Sequence, residues 1–376
     1  MRGACIVTPV NLRIRPVVER LGRYQPGMGI EEARSRSRSG RIIKLSSNET
    51  SFGPLPVAAA AARAALADLA RYPEGEGALV RALAERHGLG TDQIVLSPGA
   101  DGSIGLLTRA VLGPEDEVVH AWPSFVSYPL AAAQQGARCI AVPCVDGVHD
   151  LDAMAAAVDG RTSMVVVCNP NNPTGTTVGR DALARFIDGL PAHVICVVDE
   201  AYREFVSDPD VPDALEEHLK RGDERIVVLR TFSKIHGLAG LRIGWAAGAP
   251  HVIDAMGRFR AAFDVTAIAA IAAHAALGDE AGVARRSALN AAQRTRLLAE
   301  LREAGMEVYP SQGNFVCVDV GDGPAAAAEL LAEGVVVRPL VAFGSPSHIR
   351  VTIGRPSEMR HATRALLALR AARTQA

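Results

Sequence analysis

The cysteines of this chain are few and unpaired in sequence. Cys5, Cys139, Cys144, Cys168, Cys196 and Cys317 are scattered with no C-x-x-C spacing, which argues against a zinc site or a disulfide framework. Several fall in apolar, strand-like runs and read as buried thiols of a reducing cytoplasm. Long hydrophobic runs are missing too: none approaches the roughly 20 apolar residues of a membrane span. The N-terminus lacks the charged-then-apolar pattern of a secretion signal. Neither sign of charge is in excess, the formal net charge being −1, so neither nucleic acid nor an anionic membrane is expected as a partner. No internal repeat is present, which removes solenoids and propellers. What is there is 376 residues, 48% hydrophobic and 22% charged, an ordinary globular composition with length for two domains.

Between residues 94 and 248, short apolar runs at 94–96, 117–120, 139–142, 164–168, 194–198, 226–229 and 241–245 alternate with helical stretches at 101–112, 125–135, 180–189 and 213–221. Strands apolar on both faces and separated by helices predict an α/β fold, a mostly parallel mixed sheet sandwiched by helices. Upstream, helices are expected at 57–70 and 77–88, after a short strand at 42–45. The run Arg34-Ser-Arg-Ser-Arg-Ser39-Gly40 reads as a solvated flexible loop rather than a phosphate patch. Beyond Pro250, helices at 250–262, 280–304, 325–333 and 356–373 and strands at 306–309, 314–320, 335–338 and 348–353 predict a second, smaller α+β domain. The expected division is an N-terminal segment (1–60) belonging to the small domain, a large domain (61–277) and a C-terminal small domain (278–376).

In parallel sheets ligands sit at the carboxyl ends of the strands. Four polar clusters fall there: Ser97-Pro-Gly-Ala-Asp-Gly102, Asn169-Pro-Asn-Asn-Pro173, Asp199-Glu-Ala-Tyr202 and Ser233-Lys234. Lys234 ends a buried run, and partial desolvation there favours a free amine able to attack a carbonyl. Thr231, Ser233 and Arg242 can hold a phosphate dianion beside it. An amine next to a phosphate cradle is what pyridoxal 5′-phosphate (PLP) needs. Asp199 either caps a helix or faces the pyridinium nitrogen of that cofactor, keeping the ring protonated and electron-accepting. Tyr202 and Asn169 can each meet the ring's phenolate oxygen. Backbone N–H groups at Ala100 and Asp101 open a helix and can meet phosphate oxygens. Phe125 stacks on the ring or belongs to the core, and Tyr72 in Arg71-Tyr-Pro73 reads as a packed turn residue. Arg350, mid-strand, and Arg338 clamp a substrate carboxylate or make structural salt bridges. His236 is set aside as a base because Lys234 can move the proton itself.

On these residues the chain resembles the fold-type I PLP-dependent aminotransferases of class I/II, and within them the histidinol-phosphate aminotransferase family. The matching stretches are Asn48-Glu49 with Phe52-Gly-Pro54, Arg71-Tyr-Pro73, Cys168-Asn-Pro-Asn-Asn-Pro-Thr-Gly175, Asp199-Glu-Ala-Tyr202 with Glu204-Phe205, Ser233-Lys234 with Gly237-Leu-Ala-Gly-Leu-Arg-Ile-Gly244, and His348-Ile-Arg-Val-Thr-Ile-Gly354. The resemblance implies that Lys234 is the lysine carrying PLP as a Schiff base, with Asp199 at the ring nitrogen and Asn169 and Tyr202 at the ring oxygen. It also implies phosphate contacts from Ala100, Asp101, Thr231, Ser233 and Arg242, and Phe125 stacked on the ring. Tyr72 would reach the phosphate of a neighbouring subunit, which implies a homodimer with shared sites. Arg350 would take the substrate carboxylate, and Tyr24, Asn48 and Arg338 would join it in holding substrate.

The implied activity is amino transfer between histidinol phosphate and 2-oxoglutarate. Departures from the family pattern bear on the amino donor. Asn48-Glu-Thr-Ser-Phe-Gly-Pro54 and Pro191-Ala-His193 look like the aromatic (phenylalanine) aminotransferases of the same family, whereas Gly344-Ser-Pro-Ser-His-Ile-Arg350 is closer to the histidinol-phosphate pattern. Two further readings use the same scaffold, an α-decarboxylase of a phosphorylated amino acid and a PLP-binding sensor. The first needs a carboxylate held perpendicular to the ring, and the second needs an added DNA-binding domain that the short basic run does not supply.

Overall fold

A seven-stranded sheet, in the order β2-β8-β7-β6-β5-β3-β4, dominates the computed structural model, which describes residues 14–22 and 27–374. Its strands are β2 (Ile94–Ser97), β3 (Glu117–Trp122), β4 (Arg138–Pro143), β5 (Thr162–Cys168), β6 (Ile195–Asp199), β7 (Ile226–Thr231) and β8 (Gly244–Ala247). Neighbours pair in parallel except around β8, which runs antiparallel to both β2 and β7.

The central strands are apolar on both faces because both are covered. In β5, Val165 and Val167 enter one core while Met164, Val166 and Cys168 enter the other, the alternation that a pleated strand requires. The first core is closed by α2 (Pro56–Ala65), α3 (Glu76–His87), α6 (Leu151–Ala156), α7 (Arg180–Gly189), α8 (Ala214–Glu217) and α10 (Ala267–Leu277). The second is closed by α4 (Gly99–Val111), α5 (Ser127–Gln135) and α9 (Pro250–Gly257).

A third core gathers the remaining elements. Strands β11 (Arg338–Leu340), β12 (Ser345–Thr352) and β9 (Phe315–Asp319) form an antiparallel sheet, and β1 (Ile43–Lys44) pairs in parallel with β10 (Val335–Val336). Against them pack α11 (Glu280–Glu303), α12 (Gly323–Ala332) and α13 (Pro356–Thr374). Ile43 and Leu45 from the N-terminal stretch are fully enclosed in this core. Helix starts follow local chemistry: Thr266, Asp279 and Asp322 accept from the N–H groups of Ala269, Gly282 and Ala325. Gly88 and Gly136, both left-handed, end α3 and α5.

Several expectations are corrected. The strand expected over 241–245 starts only at Gly244, because residues 239–241 form a 3-10 turn and Arg242 takes a left-handed φ of 54°. The helix expected at 213–221 breaks after Glu217 into a 3-10 turn. Residues 306–309 make only a bridge, Val308 to Val318, and the 335–338 strand divides in two. The Arg/Ser run begins as helix: α1 (Ile30–Arg36) pairs Arg34 with Glu31 and Arg36 with Glu32. α10 gives no periodic signal, because its sequence, Ala-Ile-Ala-Ala-Ile-Ala-Ala-His-Ala-Ala-Leu, has no polar stripe. Among the described residues, Cys139, Cys144, Cys168, Cys196 and Cys317 are free thiols, and no single helix is long and apolar enough to cross a membrane. Cys5 lies outside them.

Candidate active site

The carboxyl ends of β5, β6 and β7 lie side by side, with Cys168 beside Asp199 and Asp199 beside Leu229. Just beyond them is a cavity of ≈ 330 Å³. Lys234, Asp199, Tyr202, Thr231, Ser233, Arg242, Ala100, Asp101, Phe125, Asn48, Arg338 and Arg350 all line it. Residues from four strand ends, the N-terminal stretch and the small antiparallel sheet thus meet in one place.

Asp199 is 2% exposed at the floor of the cavity. Its Oδ1 accepts from the Ala201 N–H at 3.0 Å and its Oδ2 from the Tyr128 hydroxyl at 2.7 Å. The first bond is a local two-residue loop; helical turns resume only at Arg203, so Asp199 is not a helix cap. Burial raises its pKa, while the bonds from Tyr128 and Ala201 and the nearby Lys234 pull the other way. Such a carboxylate awaits a cation. No sequence signal marks Tyr128; it lies in the first turn of α5, three residues after Phe125, whose ring meets it edge-on at 5.7 Å.

Lys234 sits in a turn closed by the Gly237 N–H donating to its carbonyl at 3.1 Å. Burial, reinforced by the cations Arg350 and Arg242, lowers its pKa to about 8, so a free amine is present near neutrality and predominates above that value. Gly237, at φ 75°, lies against the backbone of Gly53 and Pro54, so a side chain there would collide with main chain. Beside the lysine, the Thr231 hydroxyl donates to Ser233 Oγ at 3.0 Å, and Arg242 Nη1 reaches the same oxygen at 3.5 Å. The N-terminus of α4 completes a cup, with Ala100 and Asp101 at its rim and Asp101 Oδ1 accepting from Ser127 at 2.6 Å. Gly99 opens the helix at a left-handed φ of 77°, a conformation that a side chain would strain, and it lies beside the Arg242 guanidinium. Helix-end N–H groups, two hydroxyls and a guanidinium are a donor set for a phosphate.

On the opposite side, Asn48 Nδ2 donates to the Tyr202 hydroxyl at 2.9 Å. Asn48 holds a left-handed φ of 52°, pinned by Thr352 Oγ1 on its N–H at 3.0 Å and by Asn314 Nδ2 on its carbonyl at 3.0 Å. Arg350 is 5% exposed; its Nη1 donates to Asn172 Oδ1, its Nη2 to the Ser46 carbonyl at 3.0 Å, and its guanidinium lies 5.5 Å from the Phe315 ring centre. Arg338 faces Arg350 directly across the β11–β12 pair. Glu49, also lining the cavity, is paired with Lys44 at 2.8 Å.

Two expected site residues stand elsewhere. Asn169 is corrected: its amide is taken up by the backbone of Val178, donating to that carbonyl at 3.1 Å and accepting from that N–H at 3.0 Å. Asn172, three positions on in the same motif, lines the cavity in its stead. Tyr72 is 75% exposed and stacks on Phe263 at 4.5 Å, away from the cavity of its own chain. Tyr24 lies outside the described residues. His236 is turned into the protein against Phe232, and burial drops its pKa to about 3, which removes it from acid–base work at neutral pH.

The residues present fit PLP. A phosphate cup, a buried carboxylate for the pyridinium, a phenol for the ring oxygen, an aromatic face and a lysine whose pKa burial lowers to about 8 are brought together in one cavity. Among the described residues no group of three or more His, Cys, Asp or Glu is placed to hold a metal.

Known proteins similar to this chain are numerous. A histidinol-phosphate aminotransferase 2 of Pseudomonas fluorescens Pf0-1 is 43% identical over 92% of this chain and 94% of its own length. An aromatic amino acid aminotransferase of Thermobifida fusca is also 43% identical, over 92% of this chain and 94% of its own. The crystal structure of the histidinol-phosphate aminotransferase of Sinorhizobium meliloti in complex with pyridoxal-5′-phosphate superposes with a TM-score of 0.85 at 28% identity, covering 97% of this chain and 98% of that one. Residues 40–366 match the family described as aminotransferase class I and II. With the fold, the cavity and the sequence match all in agreement over most of its length, this chain belongs to the class I and II aminotransferases.

Proposed function

We infer that this chain is a PLP-dependent aminotransferase whose amino donor is histidinol phosphate, or imidazole-acetol phosphate as acceptor in the reverse direction, with glutamate and 2-oxoglutarate as the second pair. The observation that carries the chemistry is the meeting of Lys234, Asp199 and the phosphate cup in one cavity. PLP, when bound, supplies an electron sink for the charge left on Cα when its proton is removed.

The chain's own residues do the rest. Asp199, oriented by Tyr128 and the Ala201 N–H, is the partner for the ring nitrogen's proton. Tyr202, steadied by Asn48, and the amide of Asn172 serve the ring oxygen. Phe125 flanks the ring, and Thr231, Ser233, Arg242 and the start of α4 take the phosphate. Lys234, with its amine free above about pH 8, would take the proton from the substrate's Cα and deliver it to the carbon on the far side of the amino nitrogen. Arg350 and Arg338, two guanidiniums on facing strands, bind the anionic end of the substrate. Tyr72 projects from a surface that also exposes Leu69 and Phe263, which supports a homodimer in which it reaches the partner's phosphate cup.

The aromatic reading is kept because the Thermobifida relative is as similar as the Pseudomonas one. Comparing kcat/KM for histidinol phosphate and phenylalanine, each with 2-oxoglutarate, separates the two. A ratio favouring histidinol phosphate is expected; a strong preference for phenylalanine overturns it. Release of CO₂ without an oxo product would instead support decarboxylation.

A further inference from the structure

Helix α11 buries a polar face. Along its first half the inward residues are Gly282, Arg286, Asn290 and Arg294, spaced four apart; only then do Leu297, Leu298 and Leu301 take over. A guanidinium taken out of water is costly unless its donors are met. Two on one helix face therefore need an account, and their bonds supply it. Arg286 Nη1 donates to the Ile235 carbonyl at 3.0 Å. Arg294 Nη1 donates to the carbonyls of Phe205 at 3.1 Å and Gly313 at 2.9 Å, and its Nη2 to Ser207 Oγ at 3.0 Å. All these acceptors are neutral, and burial pushes Arg294 down to about 10.

What the acceptors have in common is their place. Ile235 follows Lys234, and Phe205 closes the turn that starts at Tyr202, its N–H donating to the Tyr202 carbonyl at 3.0 Å. In the turn from Lys234 to Gly237, Ile235 and His236 are the inner pair, and the peptide between them can point to either side. Its carbonyl is the group that Arg286 holds. The Ile235 side chain, 1% exposed, is locked among Ala201, Tyr202, Phe205 and Phe315, with Val283 of α11 packed against the cluster.

We propose that Arg286 is a positioning residue: from α11 it fixes the orientation of the Ile235–His236 peptide and so aims the Lys234 amine into the cavity. This rests on the reading of Lys234 as the amine that bonds to PLP. Arg286 itself touches neither cofactor nor substrate; it acts through the turn.

The test uses the full-length protein and two ligands. Pyridoxamine 5′-phosphate has no aldehyde, so its affinity reads the phosphate cup and ring contacts alone. The aldehyde carbon of PLP bonds to Lys234 Nζ with loss of water, and borohydride reduction fixes the adduct for peptide mapping. For Arg286→Met, pyridoxamine phosphate affinity is expected to stay within about twofold, while the rate of capture at Lys234 falls about tenfold. Arg286→Lys, which keeps a charged donor, is expected to recover most of that rate, and it carries the comparison if Arg286→Met does not fold. Parallel loss of both ligands, or unchanged capture, overturns the proposal. Absence of any adduct in the unaltered protein is a different failure and overturns the reading of the cofactor site itself.

Discussion

The hydroxyl of Tyr128 donates to Asp199 Oδ2 across 2.7 Å, with both side chains buried. That bond favours the ionised carboxylate against a burial that disfavours it. Removing it with Tyr128→Phe is expected to weaken PLP binding at neutral pH about tenfold, since a hydrogen bond to a charged group contributes about 1.5–3 kcal/mol. The sign of the pH effect follows. Asp199 has a folded pKa above its unfolded one, so the cofactor-free protein is most favoured below the unfolded value and loses stability as pH rises through the folded one. Tyr128→Phe raises the folded value further and moves the end of that loss to higher pH. Melting temperature against pH, without cofactor, checks it; superimposable curves would count against the bond.

Lysine is rare in this chain: Lys44, Lys220 and Lys234 are all there are. Lys234 has its folded pKa lowered from 10.5 to about 8, so the unfolded chain holds more protons between those values and stability rises with pH across that window. Lys234→Ala is expected to flatten that rise, to abolish turnover and to eliminate the borohydride-fixed adduct. Calorimetry from pH 7 to pH 11, a turnover assay and peptide mapping give the three readings; retained turnover refutes the lysine's role.

Two asparagines of one motif should separate cleanly. Asn169→Ala strips both partners from the buried Val178 peptide groups and is expected to cost about 2–4 kcal/mol of stability while sparing cofactor affinity in what folds. Asn172→Ala is expected to lower kcat/KM, because Arg350 loses a partner at the cavity wall, and to cost stability as well, since that guanidinium is buried. Denaturation curves and steady-state kinetics on both variants decide; the reverse pattern would return Asn169 to the site.

Gly244 is where β8 meets the phosphate cup. A Cβ there would lie 2.7 Å from the Gly99 carbonyl carbon, 2.8 Å from the Ala100 nitrogen and 2.9 Å from the Arg230 oxygen, all of them main chain. Gly244→Ala is expected to destabilise by about 1–3 kcal/mol and to reduce affinity for pyridoxamine phosphate, because the start of α4 must move. Unchanged affinity would mean the helix end does not take the phosphate.

The strand pattern was legible wherever a strand is covered on both faces, since continuous apolar runs such as 164–168 and 226–229 have few other uses. Lys234 and Asp199 were legible for the same reason: charge at the end of such a run is conspicuous. Tyr128 was not, because its meaning depends on a carboxylate 71 positions later. Asn169 was misread because two asparagines on one loop differ only in which way the backbone turns them. Arg286 gave no signal at all; in sequence it is one more arginine in a helix rich in them.

Asn48 is held by Thr352 and Asn314, partners some 300 positions downstream in the first case. On the ribosome the earliest wall of the cavity therefore waits for the last strand to leave the exit tunnel. Until β12 has emerged, Tyr202 has no fixed neighbour on its hydroxyl, and a nascent chain can gather its phosphate cup but cannot complete the ring side. A chain cut short before Thr352 lacks the hydroxyl that fixes the Asn48 peptide, and with it part of the support for the Tyr202 side of the reaction chamber.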